Sequence, residues 1–370
     1  MLEMTGMPET FDLLALGGDG IGPEVTGCAL KVVEKACDSD IRVDVTEDLL
    51  HGACYDQTGT FLKETTLDHA RRADAVLVGA TGGPRWDHVR LAGETAMADG
   101  LMQLRMELDT FAGLRPARAI ACLEPLTPYR PGLTGGADVL VLREMTGGNF
   151  FAAKRGVDRP PQAPRRGYDL GVYDEHQIAR LAHVGFRLAA RRRRHLVSAD
   201  KSNVMEMHVL WREVVSEVAL EYPGITLEHL YADNASYQLA RDPGRFDVIM
   251  ADNLFGDMLS DQAGVIVASL GMLPSACLTG LPDDATRIRG IFEPVHGSAP
   301  DIAGKGLANP IGAILSAALM FDFAFGRADI ARIIEGAVTS ALEEGARTRD
   351  LGGSLTSAAM TEAILAQLDA

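Results

Sequence analysis

Short apolar runs alternate along most of the chain with longer segments of helical period. Leu13-Leu14-Ala15-Leu16 precedes a helical pattern over 24–36; residues 41–45 follow, and a further helical stretch leads into Ala75-Val76-Leu77-Val78. This rhythm predicts α/β units around a largely parallel sheet. Residues 139–142, 196–199, 226–231 and 247–250 are further strand candidates, while 309–325 is apolar on every side, as a fully buried helix is. Residues 152–171 break the pattern with Pro, Arg and Gly and little periodicity, which predicts an irregular excursion or arm. No internal repeat is apparent.

At 370 residues and 47% hydrophobic content the chain exceeds one compact unit, so two domains are expected. Charged residues at 23% exclude general disorder. The formal net charge of -16 repels polyanions over most of the surface and excludes nucleic acid as a partner class. Cysteines at 28, 37, 54, 122 and 277 form no CxxC pair and suggest neither a disulfide framework nor a zinc site; they fit reduced thiols. The first twelve residues carry no secretory pattern, and no run sustains the ~18 apolar residues of a membrane span, so a soluble, cytoplasmic chain without membrane contact is expected.

Five constellations could carry chemistry. Gly17-Gly18-Asp19-Gly20-Ile21-Gly22-Pro23-Glu24 is a glycine-rich turn between strand and helix, but Val25 occupies the third glycine's place of a dinucleotide fingerprint. A plain turn explains it better than a phosphate cradle. Asp257 and Asp261 are four apart and share a helix face, where like charges repel unless something compensates. A divalent cation would do so, with Asp233 as a possible third ligand; the absence of imidazole or thiolate favours magnesium or manganese. A solvated helix face accounts for the spacing equally well. Arg105, Arg115 and Arg143 stand in largely uncharged surroundings and could fork onto the carboxylates of a diacid, although each taken singly is an ordinary surface or structural arginine. The run Arg191 to Arg194 instead fits cations complementing a helix C-terminus. Lys201 follows a strand end, where a lysine of lowered pKa can act as a base; solvent exposure is the simpler reading. The stretch 292–310, FEPVHGSAPDIAGKGLANP, reads as a long loop of small residues in which Asp301 could bind ribose hydroxyls and repel a ribose phosphate.

With these motifs in hand the chain resembles the isocitrate/isopropylmalate dehydrogenase family of metal-dependent β-decarboxylating dehydrogenases. The resemblance runs from about Leu13 to the C-terminus through GDGIGPEV, GGPRWD, LRMELDTFAGLRPAR, LREMTGG, SADKSNV, YADNASY, NLFGDMLSDQAG, SLGMLPSA and FEPVHGSAPDIAGKGLANP, in the family's order and nearest to its isopropylmalate branch. It implies a two-domain α/β fold of mixed, largely parallel sheets flanked by helices, without a standard Rossmann fingerprint. It further implies a homodimer in which 1–110 and 268–370 form an NAD-binding domain, and 111–267 a second domain carrying the dimer interface and an arm at about 146–172. Arg105, Arg115 and Arg143 would hold the substrate carboxylates. Asp257 and Asp261 would bind the metal with Asp233 from the partner subunit, and Lys201 would reach across the dimer beside the reacting hydroxyl, making Lys201 and Asp233 the catalytic pair. Glu293, His296, Gly297, Ser298, Ala299, Asp301, Ile302 and Asn309 match the family's NAD site.

Two departures stand out. Phe150 occupies the place where the isopropylmalate branch carries a tyrosine that protonates C3, and a phenyl ring has no proton to give. Leu101 and Met102 keep an apolar pair suited to an alkyl side group, but an acidic residue of that region is replaced by Ala98, with Asp99 or Glu94 as substitutes. The expected reaction is the NAD-dependent oxidation, with decarboxylation, of a 3-alkylmalate such as 3-isopropylmalate. The alternatives are a paralogue acting on another malate- or tartrate-like diacid, and a catalytically weakened regulatory subunit. A metal hydrolase would leave the loop at 292–310 unexplained, and Ser298 lies in no GxSxG context.

Overall fold

The computed structural model describes residues 8–37, 40–89, 99–283 and 287–368. Glu94 and Ala98 lie outside the described residues. The strands are β1 (Glu9–Gly18), β2 (Ile41–Asp48), β3 (Ala75–Ala80), β4 (Ala112–Arg118), β5 (Asp138–Glu144), β6 (Arg155–Asp158), β7 (Arg166–Asp169), β8 (His195–Asp200), β9 (Thr226–Tyr231), β10 (Val248–Ala251), β11 (Pro274–Leu278) and β12 (Gly290–Pro294). Ten of them form one sheet in the order β2-β1-β3-β12-β11-β4-β5-β10-β8-β9, and β6 with β7 forms a separate ribbon.

The sheet is mixed, as expected, and its antiparallel part is confined to the centre. β2, β1, β3 and β12 run parallel to one another, as do β5, β10, β8 and β9. The antiparallel pairs β12–β11, β11–β4 and β4–β5 join these two groups. The apolar runs at 13–16 and 75–78 are buried on both faces, which is why they read as continuous rather than alternating. The helix Ile311–Phe323 lies against β11 and β12 with nine of its residues buried. The helix Glu175–Ala190 starts at a capping box, Asp174 accepting from the Gln177 amide while the Gln177 side chain accepts from the Asp174 amide.

Several local expectations need correction. β4, β11 and β12 were not legible as strands: β11 and β12 are short and bounded by Pro274 and Pro294, and Pro116 interrupts β4. Residues 292–294 therefore belong to β12, and the loop proper begins at Val295. Residues 152–171 are not wholly irregular. They contain the β6–β7 hairpin, paired from Arg155↔Asp169 to Asp158↔Arg166, and both strands are largely exposed. Arg192 and Arg193 stand at the helix end, where the Arg192 amide donates to the Ala189 carbonyl, and also reach beyond it. Arg192 Nε donates to Asp247 Oδ1 at 2.8 Å and Nη2 to Asp138 Oδ1 at 2.8 Å, while the Arg193 amide donates to Asp247 Oδ2 at 2.8 Å; together they pin the starts of β5 and β10. No helix of the described residues is long and apolar enough to cross a membrane.

Candidate active site

The helix Asn253–Ala263 follows β10 directly. Asp252 caps it, its Oδ1 accepting the Phe255 amide at 2.7 Å. One turn apart on this helix, Asp257 and Asp261 face the guanidinium of Arg115, at 3.1 and 3.6 Å from Nη1. Arg143, from the end of β5, pairs with Asp257 as well. The repulsion between the two carboxylates is thus relieved here by buried arginines. Burial, reinforced by Asp257, raises the Asp261 pKa against the opposing pull of Arg115. Burial, together with the neighbouring Arg115, pulls Arg143 down to about 10, which leaves it protonated at neutral pH.

Two residues that sequence reasoning overlooked hold this arrangement. Asn253 Oδ1 accepts from Arg143 Nε at 3.0 Å and Nη2 at 2.8 Å, and its Nδ2 donates to the Gly147 carbonyl at 3.1 Å. The Asn253 amide donates to the Tyr173 hydroxyl at 2.9 Å. An Asp-Asn step at the head of a helical run was the available signal for Asn253. Tyr173 offered none, because its contact joins segments far apart in sequence. Phe150 lies on the turn Gly148–Phe151 with its ring centroid 5.6 Å from the Arg143 guanidinium carbon.

Arg105 comes from the helix Gly100–Glu107, which Asp99 caps by accepting the Leu101 and Met102 amides at 2.9 Å each. Asp99 is thereby engaged as a cap. Leu101 is buried in a core cluster with Leu16 and Leu104, and Met102 is half-buried. Arg105 forms an ion pair with Glu293 of β12; burial opposes its charge, but Glu293 outweighs this and raises its pKa. All three arginines act electrostatically on the buried Cys277 thiol of β11, whose pKa burial raises, so they converge on the same central strands.

Lys201 and Asp233 form a second cluster. Lys201 Nζ donates to Asp233 Oδ1, which lowers the pKa of that exposed carboxylate. Lys201 also sits 5.7 Å from the Tyr231 ring centroid. Among the described residues no three His, Cys, Asp or Glu side chains of one chain gather to hold a metal ion, and Asp233 stands apart from Asp257 and Asp261.

The loop after β12 rests on the glycine-rich turn. Ser298 carbonyl accepts the Ile21 amide at 2.8 Å, and a Cβ on Gly20, at φ +59°, would meet that same carbonyl at 1.9 Å. Gly20 thus serves close packing of two loops rather than a phosphate. Glu24 accepts from the Gly306 and Ala308 amides at 3.3 and 3.1 Å. Within the loop Ala299 adopts φ 38°, a strained value for a residue with a side chain. Gly297 and Asp301 are exposed, Ile302 is half-buried, and Asn309 Nδ2 donates to Asp350 Oδ2 at 3.0 Å. His296 has a pKa lowered by burial, and its Nε2 is buried without a hydrogen-bond partner; Arg105 Nε shares that condition. Two unpartnered buried nitrogens on residues that interact with Glu293 are what a polar ligand would satisfy.

A profile of the family described as Isocitrate/isopropylmalate dehydrogenase matches residues 12–365. A 3-isopropylmalate dehydrogenase of Zymomonas mobilis is 46% identical over 354 residues, covering 96% of this chain and 99% of the relative. One from Rhodospirillum rubrum is 45% identical over 367 residues, covering 98% and 99%. Among solved structures, isocitrate dehydrogenase from Methylococcus capsulatus superposes with a TM-score of 0.85 at 30% identity, covering 97% of this chain and 100% of that one. A β-decarboxylating dehydrogenase from Thermococcus kodakarensis in its apo form gives 0.76 at 32% identity, covering 97% and 96%.

Proposed function

The chain belongs to the isocitrate/isopropylmalate dehydrogenase family, and from that premise we propose that it oxidises and decarboxylates a 3-alkyl-substituted malate such as 3-isopropylmalate, with NAD and Mg2+ or Mn2+. The observation that carries this reading is the convergence of the buried guanidiniums of Arg115 and Arg143 on Asp257, with Asp261 one turn away. Forked cations beside hard oxygen ligands suit a small dicarboxylate chelated to a divalent ion.

The residues fit both groups. Asp257 and Asp261 offer an all-oxygen donor set, and the partner subunit's Asp233 would add a third carboxylate in a homodimer. Exposed apolar side chains support that dimer: Tyr237, Met258 and Val204 stand more than half exposed around these clusters. On the cofactor side, the unpartnered His296 Nε2, the strained Ala299 and the acidic Asp301 suit a dinucleotide without a ribose phosphate. We assign 1–110 with 268–370 to the NAD-binding domain and 111–267 to the second. The five cysteines, all thiols, suit a cytoplasmic setting.

When bound, the divalent ion would supply Lewis-acid polarisation and the nicotinamide a hydride acceptor, the ion held by Asp257 and Asp261 and the dinucleotide by the loop after β12. Arg115 and Arg143 would hold one carboxylate of the diacid and Arg105 the other, fixing its orientation. Lys201, once neutral, would accept the proton of the C2 hydroxyl of the neighbouring subunit's substrate, and Asp233, its ion-pair partner, would stabilise the ammonium so formed. Met102 contacts the alkyl group. Loss of carbon dioxide from the resulting β-keto acid leaves an enolate that must be protonated at C3, and Phe150 shields that carbon without supplying a proton.

Steady-state assays of 3-alkylmalates, malate, tartrate and isocitrate with NAD and Mg2+, following NADH and carbon dioxide separately, test the reading. Turnover of a 3-alkylmalate above the others is expected; no NADH from any diacid would overturn it. Phe150 favours one refinement, in which oxidation outpaces completion of the decarboxylated product. Phe150→Tyr is expected to accelerate formation of the C3-protonated 2-keto acid by about tenfold in single turnover, with NADH formation nearly unchanged. Equal acceleration of both would refute the role given to this position.

A further inference from the structure

Behind both clusters lies a buried pair to which the chemistry above gives no task. His208, in the first turn of the helix Glu206–Ala219, is 0% exposed, and Asp252 is 2% exposed. Their Nε2 and Oδ2 atoms are 3.2 Å apart. The backbone amide of Lys201 donates to His208 Nδ1 at 3.0 Å. Since Nδ1 accepts, the ring proton resides on Nε2 and points at Asp252. Asp252 in turn caps the helix bearing Asp257 and Asp261 through its bond to the Phe255 amide, and the Phe255 ring lies 5.4 Å from the imidazole. The turn after Lys201 closes on its carbonyl, which accepts the Val204 and Met205 amides at 3.1 Å each. One imidazole therefore touches the peptide of Lys201 on one edge and the cap of the carboxylate helix on the other.

We propose that His208 is a positioning residue that ties the Lys201 peptide to the N-cap of the helix carrying Asp257 and Asp261, so that a single rigid ring sets the approach of both groups. The proposal rests on the roles given above to Lys201 and Asp257. A buried donor and acceptor held at fixed separation cost free energy if either is left unmade, so the ring resists displacement at both edges. If Lys201 completes the neighbouring subunit's site while Asp257 serves its own, the tie runs between the two active sites of a dimer within each subunit.

The two edges can be separated by substitution. Asparagine places an amide oxygen near the Nδ1 position and keeps the acceptor for Lys201; glutamine places an amide nitrogen near Nε2 and keeps the donor to Asp252. H208Q is expected to lower kcat by about tenfold with KM for the diacid within about twofold of wild type, because misplacing a reacting group by a fraction of an ångström has this scale of effect. H208N, which breaks the Asp252 edge instead, is expected to lower kcat to a similar extent, again with KM nearly unchanged. Wild-type kcat in either variant would overturn the proposal. Residue-resolved amide exchange of the wild-type chain supplies a readout without turnover or variants. The Lys201 amide should exchange far more slowly than the neighbouring Asn203 amide, and exchange as fast as that turn amide would overturn the tie. Should no diacid be oxidised at all, the proposed function fails while the exchange measurement still decides on the tie.

Discussion

Asp257→Asn should abolish metal-dependent turnover, lowering kcat/KM by about 10³-fold or more, which corresponds to ~4 kcal/mol of lost transition-state stabilisation. The carboxylate has two tasks. It is one of two oxygen ligands on the helix Asn253–Ala263, and its charge stands between Arg115 and Arg143. An amide keeps the shape but removes the charge, so cation affinity falls and Arg143 loses its carboxylate partner, while Arg115 keeps Asp261. Mn2+ titration by calorimetry should show binding weakened beyond detection, while Asp257 is exposed enough that folding should suffer only modestly. Full activity in this variant would remove the metal assignment.

Arg143→Lys should raise KM for the diacid by about 100-fold while leaving Mn2+ binding in the absence of diacid intact. The guanidinium uses Nε and Nη2 on Asn253 and Nη1 on Asp257 at once. An ammonium is a single point charge that cannot hold that fork, and Asn253 would lose the partner that links it to the turn at Gly147. Substrate titrations of NADH formation, paired with metal calorimetry, separate the two functions. Unchanged KM would show that Arg143 braces the helix and does not grip substrate.

Much of the first half of the sheet was legible because buried parallel strands are uninterrupted apolar runs and their helices carry clear periodicity. The central strands were not, since β4, β11 and β12 owe their existence to neighbours in the sheet rather than to a pattern of their own. At the site, the spacing of Asp257 and Asp261 correctly gave a shared helix face, and the isolation of the three arginines from charge runs pointed to their convergence. What compensates the aspartates was not legible: the spacing suggested a cation, and within one chain Arg115 and Arg143 already do so. Beyond the helix-start signal at Asn253, the contacts of Asn253, Tyr173 and His208 were hidden for a common reason. Each acts by a hydrogen bond to a segment far along the chain or to a backbone group, and neither composition nor spacing records such a bond.

The strand order carries a cost during synthesis. β3, apolar and buried along its full length, finds its neighbour on the inner side of the sheet only when Ile291 and Phe292 have emerged to lie beside Val76 and Leu77. At a ribosomal rate of about 10 residues per second, that edge stays unpaired for on the order of twenty seconds while the intervening strands are made. A nascent chain of this kind presents a bare, sticky β-edge to its neighbours on the polysome, and its yield should depend on chaperone supply more steeply than that of a protein whose strands pair in the order they are translated.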